Sequence, residues 1–482
     1  MAFTLNPIKF GTDGWRGVIA ADFTMERVVT VASWAAEVLV ANYGDVANPR
    51  LVIVGYDRRF MAEDFAQVAA EAIQAMGFDV MLSESYAPTP AFSWAAKAEQ
   101  ALGAIVLTAS HNPAKYLGLK VKGCFGGSVT QEITSQIEAR LGEALPSDRT
   151  PGTLMTFDPW TSYCAALQGK VDIARIREAI ATDRLRVFAD VMHGAAATGL
   201  ERLLGIAIDE INGDRDPLFG GGAPEPLPKY LSEIFRAIRQ SAHDQPDVLR
   251  VGLVFDGDSD RIAAVDGQGN FRSSQVLIPI LVDHLSKTKG FTGEIVKTVS
   301  GSDLIPKLAA LNHIPLYETP IGYKYIGDRM LTAEVLVGGE ESGGVGYGTH
   351  IPERDALLSA LYVLEAVVES GQDIGDRYAQ LQASVGFTST YDRIDLPLAS
   401  MAVRNALLAE LQSNTPTEVA GQAVTDCLAI DGYKFRLAND SWLLIRFSGT
   451  EPVLRLYCEA ADMPTVQKTL LWAKDWANSI SV

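Results

Sequence analysis

Ala104-Ile105-Val106-Leu107-Thr108-Ala109-Ser110-His111-Asn112-Pro113 joins a short apolar run to a polar turn that carries a hydroxyl and an imidazole. The run predicts a buried strand, with Ser110 delivered just past its carboxyl end. Upstream the same grammar repeats. Leu51-Val52-Ile53-Val54 ends in Gly55-Tyr56-Asp57, residues 62–76 form an alanine-rich helical pattern closed by Gly77, and residues 78–82 are apolar again. This alternation predicts a mostly parallel sheet covered by helices, whose ligands gather at the carboxyl ends of the strands.

A second polar turn carries sharper chemistry. Asp256-Gly257-Asp258-Ser259-Asp260-Arg261 follows the apolar run 251–255 and precedes another at 262–265. On an extended segment the three carboxylates share one face, and their repulsion calls for a cation. Three oxygen ligands leave room in the near-octahedral shell that Mg²⁺ prefers. An EF-hand loop is excluded by Arg261 and Gly267 at the positions that need Gly and Glu. A hydroxyl able to carry phosphate beside a carboxylate cage is the equipment of phosphoryl transfer.

At 482 residues the chain exceeds one hydrophobic core. Polar breaks and strand grouping divide it into residues 1–150, 151–261, 262–382 and 383–482. The first three read as similar mixed α/β sheet domains and the last as a smaller C-terminal α+β domain. A net charge of −18 argues against nucleic acid or an anionic membrane as partner. The four cysteines are far apart, with no CxxC pair, and no apolar stretch reaches spanning length. A soluble, cytoplasmic protein is expected.

Each remaining motif has an ordinary explanation beside the chemical one. Ser110 could cap a helix beginning near Pro113. Adjacent Ser110 and His111 side chains on an extended segment would point apart. Gly338-Gly339-Glu340-Glu341-Ser342-Gly343-Gly344 offers acceptors and a donor suited to sugar hydroxyls, or is simply a flexible loop. Arg446-Phe447-Ser448-Gly449-Thr450-Glu451-Pro452 could nest an anion or turn a hairpin. Gly11-Thr12-Asp13-Gly14-Trp15-Arg16-Gly17 is another glycine-rich loop with one arginine, and residues 219–226 form an irregular loop.

Taken in order, these motifs resemble the α-D-phosphohexomutase family, which includes phosphoglucomutases and phosphomannomutases. Residues 190–194, Arg215-Asp216-Pro217 and Gly322-Tyr323-Lys324 complete the ordered set over almost the whole chain. The resemblance implies a phosphoserine at Ser110 in the first domain and Mg²⁺ on Ser110, Asp256, Asp258 and Asp260 from the second. It implies sugar recognition in the third by Tyr323, Lys324, Glu340 and Ser342. Arg446, Ser448, Gly449 and Thr450 in the fourth would clamp the non-transferred phosphate. Arg16, His111 and Arg261 would stabilise charge at the transferring phosphate. The implied substrate is a hexose phosphate, most simply glucose, with a hexose 1,6-bisphosphate as intermediate and activator.

Lys120 matches a family lysine suited to proton transfer, provided neighbouring cations lower its pKa. Some members end the sugar loop with histidine where this chain has Gly344, which leaves His350 as a second candidate. Two rivals stand. Asp256-x-Asp258 after a strand could be an aspartyl-phosphate site of the haloacid-dehalogenase kind, although Asp260 stands where that motif prefers Thr or Val. A sugar-phosphate-binding regulator without turnover is the other.

Overall fold

The computed structural model describes residues 6–11, 13–448 and 452–480. Gly449, Thr450 and Thr12 lie outside the described residues. Four sheets follow one another along the chain. The first has seven strands, with Ala101–Leu107 between Tyr116–Gly123 and Asn48–Tyr56. Asn48–Tyr56, Asp79–Ser83, Ala101–Leu107 and Leu154–Phe157 run parallel, while Tyr116–Gly123, Gly14–Val18 and Phe10–Gly11 pair antiparallel. The expected mostly parallel sheet is therefore half antiparallel, because a tight turn after Ala101–Leu107 returns the chain directly alongside it.

The second sheet orders Phe271–Arg272, Ile262–Val265, Leu249–Phe255, Leu185–Asp190 and Asp209–Ile211. The third orders Leu316–Thr319, Glu294–Thr298, Val335–Gly339 and Val345–Gly346. The last is a six-stranded antiparallel sheet of Thr390–Pro397, Val453–Ala460, Trp442–Phe447, Tyr433–Leu437, Gln422–Leu428 and Glu418–Val419.

Three expected boundaries shift. Leu154–Phe157 extends the first sheet beyond residue 150, pairing with Asp79–Ser83. Ile262–Val265 folds back on Leu249–Phe255, so a cut after 261 would split a hairpin. Helix Ile374–Val385 spans the cut at 382/383, and the terminal sheet starts at Thr390. In the loop expected over 219–226, Phe219–Gly221 makes one short 3-10 turn.

Burial explains the grouping. Helix Ala356–Ser370 is mostly apolar and is buried on every side through Val367, with Glu365 paired to His284 and Lys289. Asp355 caps it, accepting the Leu358 N–H at 2.9 Å. The helix sits in a continuous core that takes side chains from all of the first three sheets. The terminal unit keeps a core of its own, around Leu407, Leu443, Leu456 and Leu470. No helix among the described residues is long and apolar enough to cross a membrane.

Candidate active site

The Ser110 turn is held from behind by Arg59, whose side chain is fully buried. Its guanidinium donates to the carbonyls of Ser110 and Asn112 at 2.6 Å each, and to those of Pro113 and Tyr116 at 3.2 and 3.1 Å. Asp57 faces the same guanidinium at 3.5 Å and accepts the Thr108 hydroxyl at 2.5 Å. Thr108 Oγ1 in turn accepts the Ser110 N–H at 2.9 Å. No helix starts at Pro113. Ser110 instead adopts φ 50°, a strained value for a residue with a Cβ. That twist brings its hydroxyl to 3.3 Å from His111 Nδ1, where an extended backbone would have parted them.

The hydroxyl of Ser110 also donates to Asp256 Oδ2 at 2.8 Å. Asp256, Asp258 and Asp260 are fully buried and offer oxygens all within 4.8 Å of one another. They converge from a tight turn, with Ser259 at φ 58°, rather than from an extended segment. Asp256 Oδ1 is already engaged by the Asp260 and Arg261 N–H groups at 3.1 and 3.0 Å. Asp258 Oδ1 and Asp260 Oδ1 have no hydrogen-bond partner despite their burial. Two unpartnered carboxylate oxygens beside a third carboxylate and a hydroxyl form an all-oxygen donor set that fits Mg²⁺. Burial pushes the Asp256 carboxyl well up, and Asp260 and Asp258 add to the shift. Carboxylates crowded in one dry site raise the proton affinity of Asp256, which a divalent cation would reverse.

Lys120 does not sit as expected. Its ammonium is buried and bonded to Asp13, Asp258 and Asp260 at 2.6, 2.8 and 2.9 Å. Burial alone would lower its pKa, but the three carboxylates outweigh burial and hold it well above the ordinary lysine value. The nearby Arg354 pulls the other way but is outweighed by the three carboxylates, and the Lys120 side chain does not line the cleft. His111 moves the other way. Burial, with Arg261 and Arg16 nearby, pushes its imidazole down to about 2. It is neutral at pH 7 and offers a hydrogen bond rather than a charge.

His350 is also displaced from the candidate chemistry. It is buried, stacks on Trp94 and meets Asp355 at 3.1 Å, away from the cleft lining. A histidine in place of Gly344 would collide with Arg354, whose Cδ lies 2.3 Å from where a Cβ would stand.

A cleft of about 920 Å³ opens in front of these groups. Arg16, His111 and Arg261 line it at one end. Tyr323, Lys324, Glu340 and Ser342 line its wall, and Arg446 lines the terminal unit's side. Ser110 and the three aspartates lie beneath the floor, with Ser110 1% exposed. The loop 338–344 is stitched to the aspartate turn: Ile262 N–H donates to the Gly343 carbonyl at 2.9 Å, and Arg261 bridges Gly344. Gly343 at φ 103° permits that approach, since a Cβ there would stand 2.9 Å from the Ile262 carbonyl. Burial raises the Glu340 carboxyl, opposed by Arg354 and Arg261.

Several groups escaped the sequence. Arg354 donates to Asp13 at 2.8 Å and Asp260 at 2.6 Å, and lies over the Tyr323 ring at 5.5 Å. Thr89 donates to Asp258 at 2.6 Å. Arg455 pairs directly across the sheet from Arg446, and both line the cleft. Only the Arg58-Arg59 pair past a strand end offered a local signal. The rest are brought in by contacts between distant segments.

Comparison with known proteins agrees with this layout. Four domain families match in order: phosphoglucomutase/phosphomannomutase alpha/beta/alpha domain I over residues 7–146, domain II over 161–269, domain III over 273–384, and the C-terminal domain over 404–470. A phosphoglucosamine mutase of Frankia casuarinae is 30% identical over 475 residues, covering 94% of each chain. A phosphoglucomutase/phosphomannomutase of Thermococcus kodakarensis is 28% identical over 464 residues, again covering 94% of each. The crystal structure of a candidate phosphomannomutase from Thermus thermophilus superposes with a TM-score of 0.84 at 31% identity, covering 98% of this chain and 100% of that one. Four family matches in order and a relative 30% identical over 94% of each chain show that the chain belongs to the α-D-phosphohexomutase family and is a phosphotransferase of the phosphoglucomutase/phosphomannomutase kind.

Proposed function

We propose that this enzyme interconverts glucose 1-phosphate and glucose 6-phosphate through a phosphoserine at Ser110 and a glucose 1,6-bisphosphate intermediate. The observation that carries it is the Ser110 hydroxyl, fixed 2.8 Å from Asp256 behind the cleft floor by a turn with no freedom left. Ser110, Asp256, Asp258 and Asp260 would hold Mg²⁺, which when bound neutralises the carboxylates and polarises the phosphoryl oxygens. Arg16 and Arg261 supply positive charge where the phosphoryl group passes, and neutral His111 supplies a hydrogen bond. Tyr323, Lys324, Glu340 and Ser342 orient the sugar. Arg446 and Ser448, with Gly449 and Thr450, hold the phosphate that is not moving. Ser110 gives its phosphoryl group to one end of the sugar phosphate and takes back the group from the other end.

Glucose is favoured by the Glu340-Glu341-Ser342 loop with Gly322-Tyr323-Lys324, which resembles the phosphoglucomutase branch. A second reading has its own support. Glu225, Glu340 and Glu341 all line the cleft, and carboxylates suit the ammonium of glucosamine 6-phosphate. Curated relatives carry both kinds of name.

The test is a parallel assay of glucose, mannose and glucosamine phosphates with Mg²⁺ and catalytic hexose 1,6-bisphosphate. Glucose should give the highest kcat/KM, and Ser110→Ala should abolish all turnover. A higher kcat/KM for glucosamine phosphate would transfer the preference to the second reading. No turnover of any of the three would leave the sugar-phosphate-binding regulator.

A further inference from the structure

Two of the contacts between the terminal unit and the third unit differ in character. One contact is buried and dry. Glu459, fully buried, accepts the Asp303 N–H at 2.8 Å, the Trp442 indole N–H at 2.7 Å and the hydroxyls of Ser302 and Ser389. Lys434, equally buried, reaches the Val299 carbonyl and Asp303 at 3.0 Å each. Satisfied buried contacts of this kind fix a pivot.

The other contact, at the cleft, is partly exposed. Arg393, on the strand Thr390–Pro397, places Nη1 3.2 and 3.4 Å from the two carboxylate oxygens of Glu341. The side chains are 32% and 13% exposed. Glu341 stands between Glu340 and Ser342, and its carbonyl accepts the Ser274 hydroxyl at 2.7 Å. One residue is thus tied by its backbone to the third unit and by its charge to the fourth. Arg393, Arg455 and Arg446 occupy three neighbouring strands, with Arg455 opposite both Asp395 and Arg446 in register. Alternate residues share a face, so Arg393 stands on the same face as the other two arginines.

Resting on the mutase reading above, we infer that Glu341 and Arg393 are positioning residues that link the sugar loop to the phosphate clamp. A partly hydrated ion pair breaks and reforms at little cost, unlike the dry contact. The clamp must release and regrip as the bisphosphate presents its other end. The pair restores the spacing between the Glu340–Ser342 segment and Arg446 each time the cleft reforms, and so keeps the intermediate inside.

Kinetics of Glu341→Gln, Arg393→Gln and the charge-reversed pair Glu341→Arg/Arg393→Glu test this. Each single variant should raise KM for the hexose phosphate about fivefold with a smaller change in kcat, as coupled contacts do. Each should also release more bisphosphate per turnover, and the reversed pair should recover most of both losses. Should the reversed pair not fold, Glu341→Gln/Arg393→Gln serves instead: its loss should match one single variant rather than their product. Unchanged KM and release in the single variants, or losses that multiply, would overturn the inference. Amide exchange over residues 339–344 in the substrate-free protein gives a readout independent of turnover. It should quicken in Arg393→Gln, and identical exchange would refute the link. Wild-type inactivity on every hexose phosphate would fail the mutase reading instead, with the exchange result still deciding the link.

Discussion

The serine floor and the phosphate clamp are built on opposite plans. The floor is dry: Ser110, Lys120 and all three aspartates are buried, and charge is matched against charge within a few ångströms. It belongs to units that share one core. The clamp stands on a unit with its own core, and Arg446 and Arg393 keep water contact beside Asp431 and Glu341. A group that must receive a phosphoryl repeatedly at one point needs fixed geometry, because misplacement raises the barrier directly. A clamp that meets either of two phosphates needs tolerance instead.

That contrast sets the scale of the expected effects. Loss of a floor ligand should cost the most: Asp258→Asn should lower kcat by about 10³-fold, and chelation should stop turnover until Mg²⁺ is restored. Steady-state rates with titrated metal check this, and a drop confined to KM would place Asp258 outside the floor. Next comes Arg59→Met, which leaves several carbonyls and Asp57 without their donor. It should destabilise folding by about 3 kcal/mol, measurable by denaturant unfolding, and reduce kcat with little change in KM.

The floor should also show in the pH dependence of stability. Burial pushes the Asp57 carboxyl up to about 6, against the pull of Arg59 and Thr108. The folded protein therefore binds this proton more tightly than the unfolded chain. Its stabilising contribution is full below the unfolded value near 4 and is lost as pH rises through about 6. The unfolding free energy of the wild type relative to Asp57→Asn should fall by about 2–3 kcal/mol over that window, and parallel profiles would contradict it. The clamp should respond least. Arg446→Gln should raise KM about tenfold while kcat stays within a few fold, because one charged hydrogen-bonding group is lost from a site with neighbours to share its work.

Much of the floor's frame was readable in the sequence. The strand Ile262–Val265 coincides with an apolar run, and Leu249–Phe255 ends where the run 251–255 does. Hydrophobic runs announce buried strands whatever their partners. Pairing direction is a different matter. Gly14–Val18 and Tyr116–Gly123 meet across about a hundred residues, and their polar positions carry no local sign of it. The same holds for the bonds of Arg59 to Ser110 and of Arg354 to Asp260 and Asp13, which span 51, 94 and 341 residues. Lys120 shows the converse hazard. Its match to a family lysine suggested proton transfer, whereas its three anionic neighbours come from two other segments. A pKa is set by neighbours that spacing alone does not reveal.

The most direct measurement is phosphoryl transfer to the protein itself. The enzyme would be mixed with ³²P-labelled hexose 1,6-bisphosphate and Mg²⁺, quenched, and mapped by mass spectrometry. One acid-stable label on Ser110, discharged by added hexose monophosphate and absent from Ser110→Ala, is the predicted result. A hydroxylamine-labile label on Asp256, or no label in an enzyme that turns over, would contradict it.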